Sequence, residues 1–297
     1  MTDRIINLVS IGVSGAENQN LTNLLSLIQQ EAKDDTDLIL LPEMCLAYNL
    51  IRMDGNEVAA MSKIAAQKRV YIVFTSFFED GGKNYNRSIV FGRNGDIVGI
   101  YDKAYTFFGE GFQDPPCHPG SDVPVFKTDF GIIGISNCFD VNFPDVYKRL
   151  YDQGAELVLY PSGYSAGMSL QAHAINHNYY IVSSTLTPDC LLYDINGQEV
   201  HYQCTPKVNI SHLQIDLDRC IFHFDNNLQK RDKLLKEHAN EVEQDTCLER
   251  EGWFTLRSKK TGVSARQLAA EYGLEELTHY KKRKAAELNK LRGFSLL

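Results

Sequence analysis

GIIGISNCFDVNFPDVYKRL, residues 131–150, carries one cysteine across the junction between two elements. Residues 131–136 form a nearly continuous apolar run, the pattern of a strand buried on both faces. Residues 145–153 read as a helix. Cys138 therefore ends a buried strand and precedes a helix. In open α/β sheets, binding and catalytic groups collect at such strand ends, because the sheet positions the loops rigidly.

The same alternation extends in both directions. Downstream, strands are predicted over 156–160 and 179–185, with a helix over 168–178. A hairpin follows over 189–193 and 198–203, turning at Asn196-Gly197, then a strand over 213–218 and a helix over 228–243. Upstream, strands are predicted over 5–13, 37–41 and 70–77 and helices over 20–33 and 58–68. Leu21, Leu24, Leu25, Ile28 and Ala32 lie on one face of the first helix. Asn94-Gly95 marks a second hairpin between 86–93 and 96–101. Strands alternating with helices, interrupted by hairpins, predict an α/β fold with mixed sheets covered by helices.

The composition fits this reading. The chain has 297 residues, 43% hydrophobic and 23% charged, which is ordinary for a globular protein and enough for one large domain or two. No apolar run reaches the roughly 18 residues of a membrane span, so no membrane association is expected. The start shows no basic and apolar leader pattern, and the seven cysteines are odd in number and lack metal-ligand spacing. A cytoplasmic location with free thiols is the resulting expectation. The eight histidines offer one i,i+4 pair, His173 and His177, without an HExxH pattern, so no metal site is expected. From Lys230 onward there are 15 basic and 11 acidic residues, a charge of +4. The first 229 residues hold 15 basic and 27 acidic, a charge of −12. An acidic body is a poor nucleic-acid binder.

Three strand ends carry chemistry. In LILLPEMC (38–45), Pro42 stops pairing and Glu43 follows. In GIYDKAYTFFGEGF (99–112), Lys103 sits just past a strand and Glu110 seven residues further on. The third is Cys138. Taken singly, such a Glu is usually a turn residue, such a Lys is usually solvated and such a Cys is usually a packed small hydrophobe. The conjunction is what points to an activated thiol.

With these residues in place, the sequence resembles the nitrilase superfamily of carbon–nitrogen hydrolases, built on a Glu, a Lys and a Cys with a second Glu. LLPE (40–43) resembles the family's Glu motif and YDK (101–103) its Lys motif, and Glu110 falls where the second Glu stands. Residues 119–145, ending in NCFDVNFPD, are similar to the nucleophile region. GAELVLYPS (154–162), AHAINHNYYIVSS (172–184) and YDINGQEV (193–200) continue the match in order, from about residue 5 to about 218. Asn137 and Asn142 depart from the commoner aliphatic and Arg of the family.

The resemblance implies a four-layer α-β-β-α sandwich over residues 1–248, with 249–297 as a C-terminal helical extension. It implies catalytic roles for Glu43, Lys103, Cys138 and Glu110, with no cofactor. Glu43 serves as the base and Cys138 as the nucleophile forming a thioester. Lys103 and the Phe139 backbone N–H stabilise the oxyanion, and Glu110 holds Lys103 charged and oriented or helps position substrate and water. Phe139, Asn142, Phe143 and Tyr164 are the expected substrate contacts, with Tyr105, Phe107, Phe108, Phe112 and Met168 nearby. The implied substrate is a small amide or carbamoyl compound, and the implied assembly a homodimer or higher homo-oligomer. Nitrile hydrolysis and acyl transfer use the same steps up to the thioester, and a catalytically silent binding protein, or one that contacts nucleic acid through the basic C-terminal helices, is a further reading. The tail, with a Gly between two predicted helices and the basic run 281–284, resembles a helix-turn-helix. Packing on the core or on a second subunit is the preferred role, and nucleic acid is not an expected partner.

Overall fold

The computed structural model describes residues 4–111 and 116–295. In chain order the first part comprises β1 (Ile5–Val13), α1 (Leu21–Glu31), β2 (Leu38–Leu40), β3 (Leu50–Arg52), α2 (Asn56–Lys68), β4 (Tyr71–Asp80), β5 (Lys83–Phe91), β6 (Ile97–Asp102) and the short α3 (Phe108–Gly111). It continues through β7 (Val125–Lys127), β8 (Ile132–Ile135), a 3-10 helix (Cys138–Asn142), α4 (Pro144–Asp152), β9 (Leu157–Ser162), α5 (Gly167–His177), β10 (Tyr180–Thr185), β11 (Asp189–Tyr193), β12 (Glu199–Cys204) and β13 (Val208–Asp216).

These strands form two mixed sheets of one design. In the first, ordered β13-β1-β2-β4-β5-β6 with β3 on β4, the strands β1, β2 and β4 are parallel, and β5 and β6 add antiparallel. In the second, ordered β12-β11-β10-β9-β8-β7, the strands β8, β9 and β10 are parallel and the outer ones antiparallel. The parallel strands are buried on both faces, which is why 37–41 and 131–136 read as unbroken apolar runs.

The two sheets meet through small polar side chains. Ser10 Oγ donates to the Ser183 carbonyl and Ser184 Oγ to the Ile11 carbonyl, both at 2.8 Å. Buried hydroxyls are thereby satisfied while the backbones approach closely. Helices cover the outer faces. Leu24 and Ile28 of α1 and Met61, Ile64 and Ala65 of α2 share a buried core with Ile39, Ile72 and Phe74. On the second sheet, Leu150 of α4 lies over Gly134, where a Cβ would stand 2.7 Å from its methyl. The result is the α-β-β-α sandwich, with the C-terminal ends of β2, β6 and β8 carrying the residues of interest.

The chain packs as two compact units, Ile6–Ile215 and a second made of the residues up to Ile5 with Asp216–Leu297. The second unit contains β14 (Cys220–His223), α6 (Leu228–Glu237), β15 (Val242–Leu248), β16 (Trp253–Ser258), α7 (Ala265–Glu271) and α8 (Leu277–Arg292). Two expectations are corrected here. The helix expected over 228–243 ends at Glu237, and 242–248 instead pairs antiparallel with 253–258. The boundary expected at 248/249 therefore falls inside a hairpin. One apolar cluster, including Phe222, Leu234, Val242, Phe254, Leu256 and Ala269, ties 220–248 to the later residues. The two tail helices are present, separated by Gly273 at φ 71°. Their basic run is partly engaged within the unit. Lys281 lies over the Trp253 ring at 5.3 Å, and Arg283 pairs with Glu275 and Glu287.

Candidate active site

Glu43, Lys103, Glu110 and Cys138 converge in Ile6–Ile215. Glu43 follows β2 by three residues, past Pro42, and its neighbour Cys45 is tied by its N–H to the Thr75 carbonyl of β4. Lys103 comes directly after β6. Its N–H donates to the Asn86 carbonyl, and its carbonyl accepts from Gly120. Gly120 passes so close that a Cβ there would lie 2.1 Å from the Asp102 carbonyl oxygen. Only glycine fits that approach. Glu110 lies on α3, where its Oε2 accepts the Phe107 N–H at 2.6 Å.

The Lys103 Nζ bridges the two carboxylates, 2.8 Å from Glu43 Oε1 and 2.9 Å from Glu110 Oε2, with all three side chains buried. Asn86 of β5 joins them, donating its side-chain amide to Glu43 Oε1 at 2.7 Å and to Glu110 Oε1 at 2.5 Å. Asn137 fixes the orientation of that amide by donating to Asn86 Oδ1 at 2.8 Å. Burial alone lowers the proton affinity of an ammonium. Here the Glu43 and Glu110 carboxylates outweigh it, and Lys103 is held well above the usual lysine range.

Cys138 opens the 3-10 helix with φ 50°, in the left-handed region that a non-glycine residue adopts only when its surroundings impose it. Those surroundings are visible. Tyr160 Oη donates to the Cys138 carbonyl at 2.9 Å. Two residues on, the fully buried Asp140 accepts from Tyr101 Oη at 2.6 Å and from the Asn137 and Tyr105 N–H groups at 2.8 Å. One carboxylate thus ties the turn bearing the thiol to the segment bearing Lys103. Burial raises Asp140 to about 6 against these bonds. The Phe139 N–H lies in the first turn of the 3-10 helix, where backbone donors have no helical acceptor.

The Cys138 thiol and the Glu43 carboxylate flank Gly163, where a Cβ would lie 4.0 Å from Cys138 Sγ and 3.3 Å from Glu43 Oε2. Burial, then the Glu43 charge, push the thiol up to about 12. The thiol is consequently protonated at neutral pH. Cys117, whose N–H donates to the Glu110 carbonyl, is likewise pushed up to about 12 by burial and then the Glu110 charge. Cys45, two residues from Glu43, is fully buried beside Thr75 and held well above the usual range by burial. Among the described residues no group of His, Cys, Asp and Glu has the arrangement of a metal site. His173 of the i,i+4 pair stacks on Tyr147 at 3.6 Å and bonds the Val141 carbonyl.

A cavity of about 230 Å³ opens onto these four residues, walled by Met44, Tyr48, Phe77, Phe107 and Gly109. Of the aromatics expected near the site, Phe107 is in the wall. Phe139, Asn142, Phe143 and Tyr164 are not among the described lining residues. The Phe139 ring packs edge-on against Phe107 and Phe143, and Phe143 stacks on Tyr105 at 3.6 Å. Asn142 is exposed and bonds the Phe139 carbonyl. Tyr164 closes a local ring with Ser162. Phe112 lies outside the described residues. Asn86, Asp140, Met44, Tyr48 and Phe77 were missed. Asn86 lies in KNYNRSIVF among other polar residues, so nothing in its local sequence set it apart.

Fold and site together define a class. Solved structures with this fold include a nitrilase-superfamily protein of Saccharomyces cerevisiae (TM-score 0.62, 19% identity, 72% of this chain and 91% of that one). A carbon–nitrogen hydrolase from Helicobacter pylori is equally similar (TM-score 0.63, 19% identity, 73% and 90%). The family follows from the sequence itself. Residues 6–221 match the carbon–nitrogen hydrolase family, and the chain belongs to it. Similar proteins include a citrullinase of Francisella tularensis, 31% identical over 53% of this chain, and an omega-amidase of Mus musculus, 24% identical over 61% of it. The match spans 60% of the citrullinase's length and 74% of the omega-amidase's. Among the described residues no helix is long and apolar enough to cross a membrane.

Proposed function

We propose that this carbon–nitrogen hydrolase is a thiol amidohydrolase that cleaves a small linear amide or carbamoyl compound through a thioester on Cys138. The supporting observation is the meeting of a protonated thiol, a carboxylate and an ammonium in one cavity. Glu43 accepts the Cys138 proton as sulfur attacks the carbonyl carbon. The oxyanion forms beside the Lys103 ammonium and the Phe139 N–H, a pairing of the kind whose loss costs ~10²–10³ in rate. Glu43 returns the proton to the leaving nitrogen, and ammonia or an amine departs. The same carboxylate then takes a proton from water, which attacks the thioester. The acid is released, and the proton returns to sulfur. Glu110 keeps Lys103 charged and aimed. The seven free thiols support a reducing, cytoplasmic setting, and the family resemblance supports a homo-oligomer.

The test is ammonia release and intact mass with a panel of amides, carbamoyl compounds and nitriles. Turnover that disappears in Cys138→Ala supports the reading. Absence of both turnover and adduct across the panel contradicts it.

A further inference from the structure

The cavity is lined by two chemically distinct sets of residues. The reacting set holds two carboxylates, Glu43 and Glu110, against one ammonium, Lys103, which bonds both. Its fixed charge is −1. Among the described residues, the rest of the lining is Met44, Tyr48, Phe77, Phe107 and Gly109, a charge-free, largely aromatic surface that offers contact rather than ion pairing. Tyr48 and Phe77 stack with centroids 6.1 Å apart and planes 17° from parallel, making a flat apolar slab. Phe77 is buried, whereas Tyr48 is 75% exposed and forms the rim.

A carboxylate on the acyl group would enter a site of like charge and lose water against aromatic carbon. Such a transfer is costly without a counter-ion. An alkyl chain or ring gains from the same surface, because burying apolar area is favourable. Size narrows the choice. A cavity of about 150 Å³ holds benzene, so 230 Å³ admits one ring with a carboxamide, or an alkyl chain of similar bulk.

We propose that this cavity selects amides whose acyl group is uncharged and apolar, a short alkyl chain or a single ring, and rejects those that carry a carboxylate. Tyr48 and Phe77 are the specificity-determining residues. The inference rests on the reading of Cys138 as the acyl acceptor, and it adds the substrate class.

The test compares matched pairs: hexanamide with adipic acid monoamide, and phenylacetamide with its para-carboxyl derivative. A para-aminomethyl derivative serves as the cationic twin. Two readouts are taken on the full chain. One is kcat/KM for ammonia release. The other is protection of Cys138 from iodoacetamide, followed by peptide mass, which reports occupancy without turnover. The neutral member is expected to lead its carboxylate twin at least ~100-fold in kcat/KM and to protect at lower concentration. Tyr48→Arg, a change at the exposed rim, should narrow that gap at least tenfold, while Tyr48→Phe should leave it. A carboxylate or cationic twin that equals the neutral amide overturns the proposal, as does failure of every amide to protect. Protection in the expected order without ammonia release sinks the hydrolase reading and leaves the selection intact.

Discussion

Asn86 donates its side-chain amide to Glu43 at 2.7 Å, on the same oxygen that takes the Lys103 ammonium. The base therefore has two donors fixing one oxygen, which leaves the other for the thiol side of the cavity. There a Cβ built on Gly163 would lie 3.3 Å from Glu43 Oε2 and 4.0 Å from Cys138 Sγ. Hydrogen bonds to charged groups are worth roughly 1.5–3 kcal/mol. Asn86→Leu should lower kcat/KM about 10- to 100-fold, mainly through kcat, with the fold retained by circular dichroism. Unchanged kcat would show that this amide does not aim the base.

Glu43→Gln separates the two effects of that carboxylate. Burial and the Glu43 charge raise the thiol to about 12, while Lys103 lowers it. Removing the negative charge should shift the pH dependence of Cys138 alkylation by iodoacetamide to lower pH. Turnover should fall by at least ~10² because the base is gone. Faster alkylation with lost turnover is the expected pair of results. Retained turnover would remove Glu43 from the mechanism.

Asp140 holds three donors, from Tyr101, Tyr105 and Asn137, at one buried carboxylate. In Asp140→Asn the amide NH₂ must face at least one of them. A loss of about 1–3 kcal/mol in stability and a larger proportional loss in kcat are expected.

The pH dependence of Asp140 has a definite sign. Its folded value, about 6, lies above the ordinary 3.8, so as pH falls through 6 the folded chain takes up this proton before the unfolded chain does. This group therefore adds stability on acidification between about 6 and 3.8. The added proton nevertheless disturbs the bonds that join the Cys138 turn to the Lys103 segment. Turnover should decline near pH 6 with no matching drop in thermal midpoint from this group. A decline that follows unfolding would contradict the assignment.

In the second unit, Asp218 accepts from Ser264 Oγ at 2.5 Å and from the Ala265 N–H at 2.6 Å, at the start of α7. Asp218→Ala should cost about 1–2 kcal/mol in chemical denaturation and leave kcat/KM unchanged. A loss of turnover at full stability would give this region a part in the reaction.

The residues proposed to carry the reaction were legible where a strong local signal marked them. The buried strands β2 and β8 are apolar, so Glu43 and Cys138 just past them stand out, while Lys103 stands out at the end of the half-buried β6. The cavity wall was less legible. Tyr48 and Phe77 reach it from β3–β4 territory, and nothing in their local sequence separates a wall aromatic from a core one. Phe139 and Phe143 sit beside the nucleophile in sequence, yet their rings pack on Phe107 and Tyr105. The 242–248 strand escaped because VEQDTCL is polar and lacks a clear two-residue alternation, although its partner β16 follows closely. The pairing of β14 with β16 joins segments remote in sequence and leaves little trace in either one.

The central claim is that Cys138 carries the acyl group. Rapid-quench peptide mass spectrometry during turnover of a neutral amide tests it most directly. The account predicts an added acyl mass on the peptide containing Cys138, absent in Cys138→Ala together with ammonia release. Full turnover by Cys138→Ala, or acyl mass on another residue with Cys138 unmodified, would contradict it.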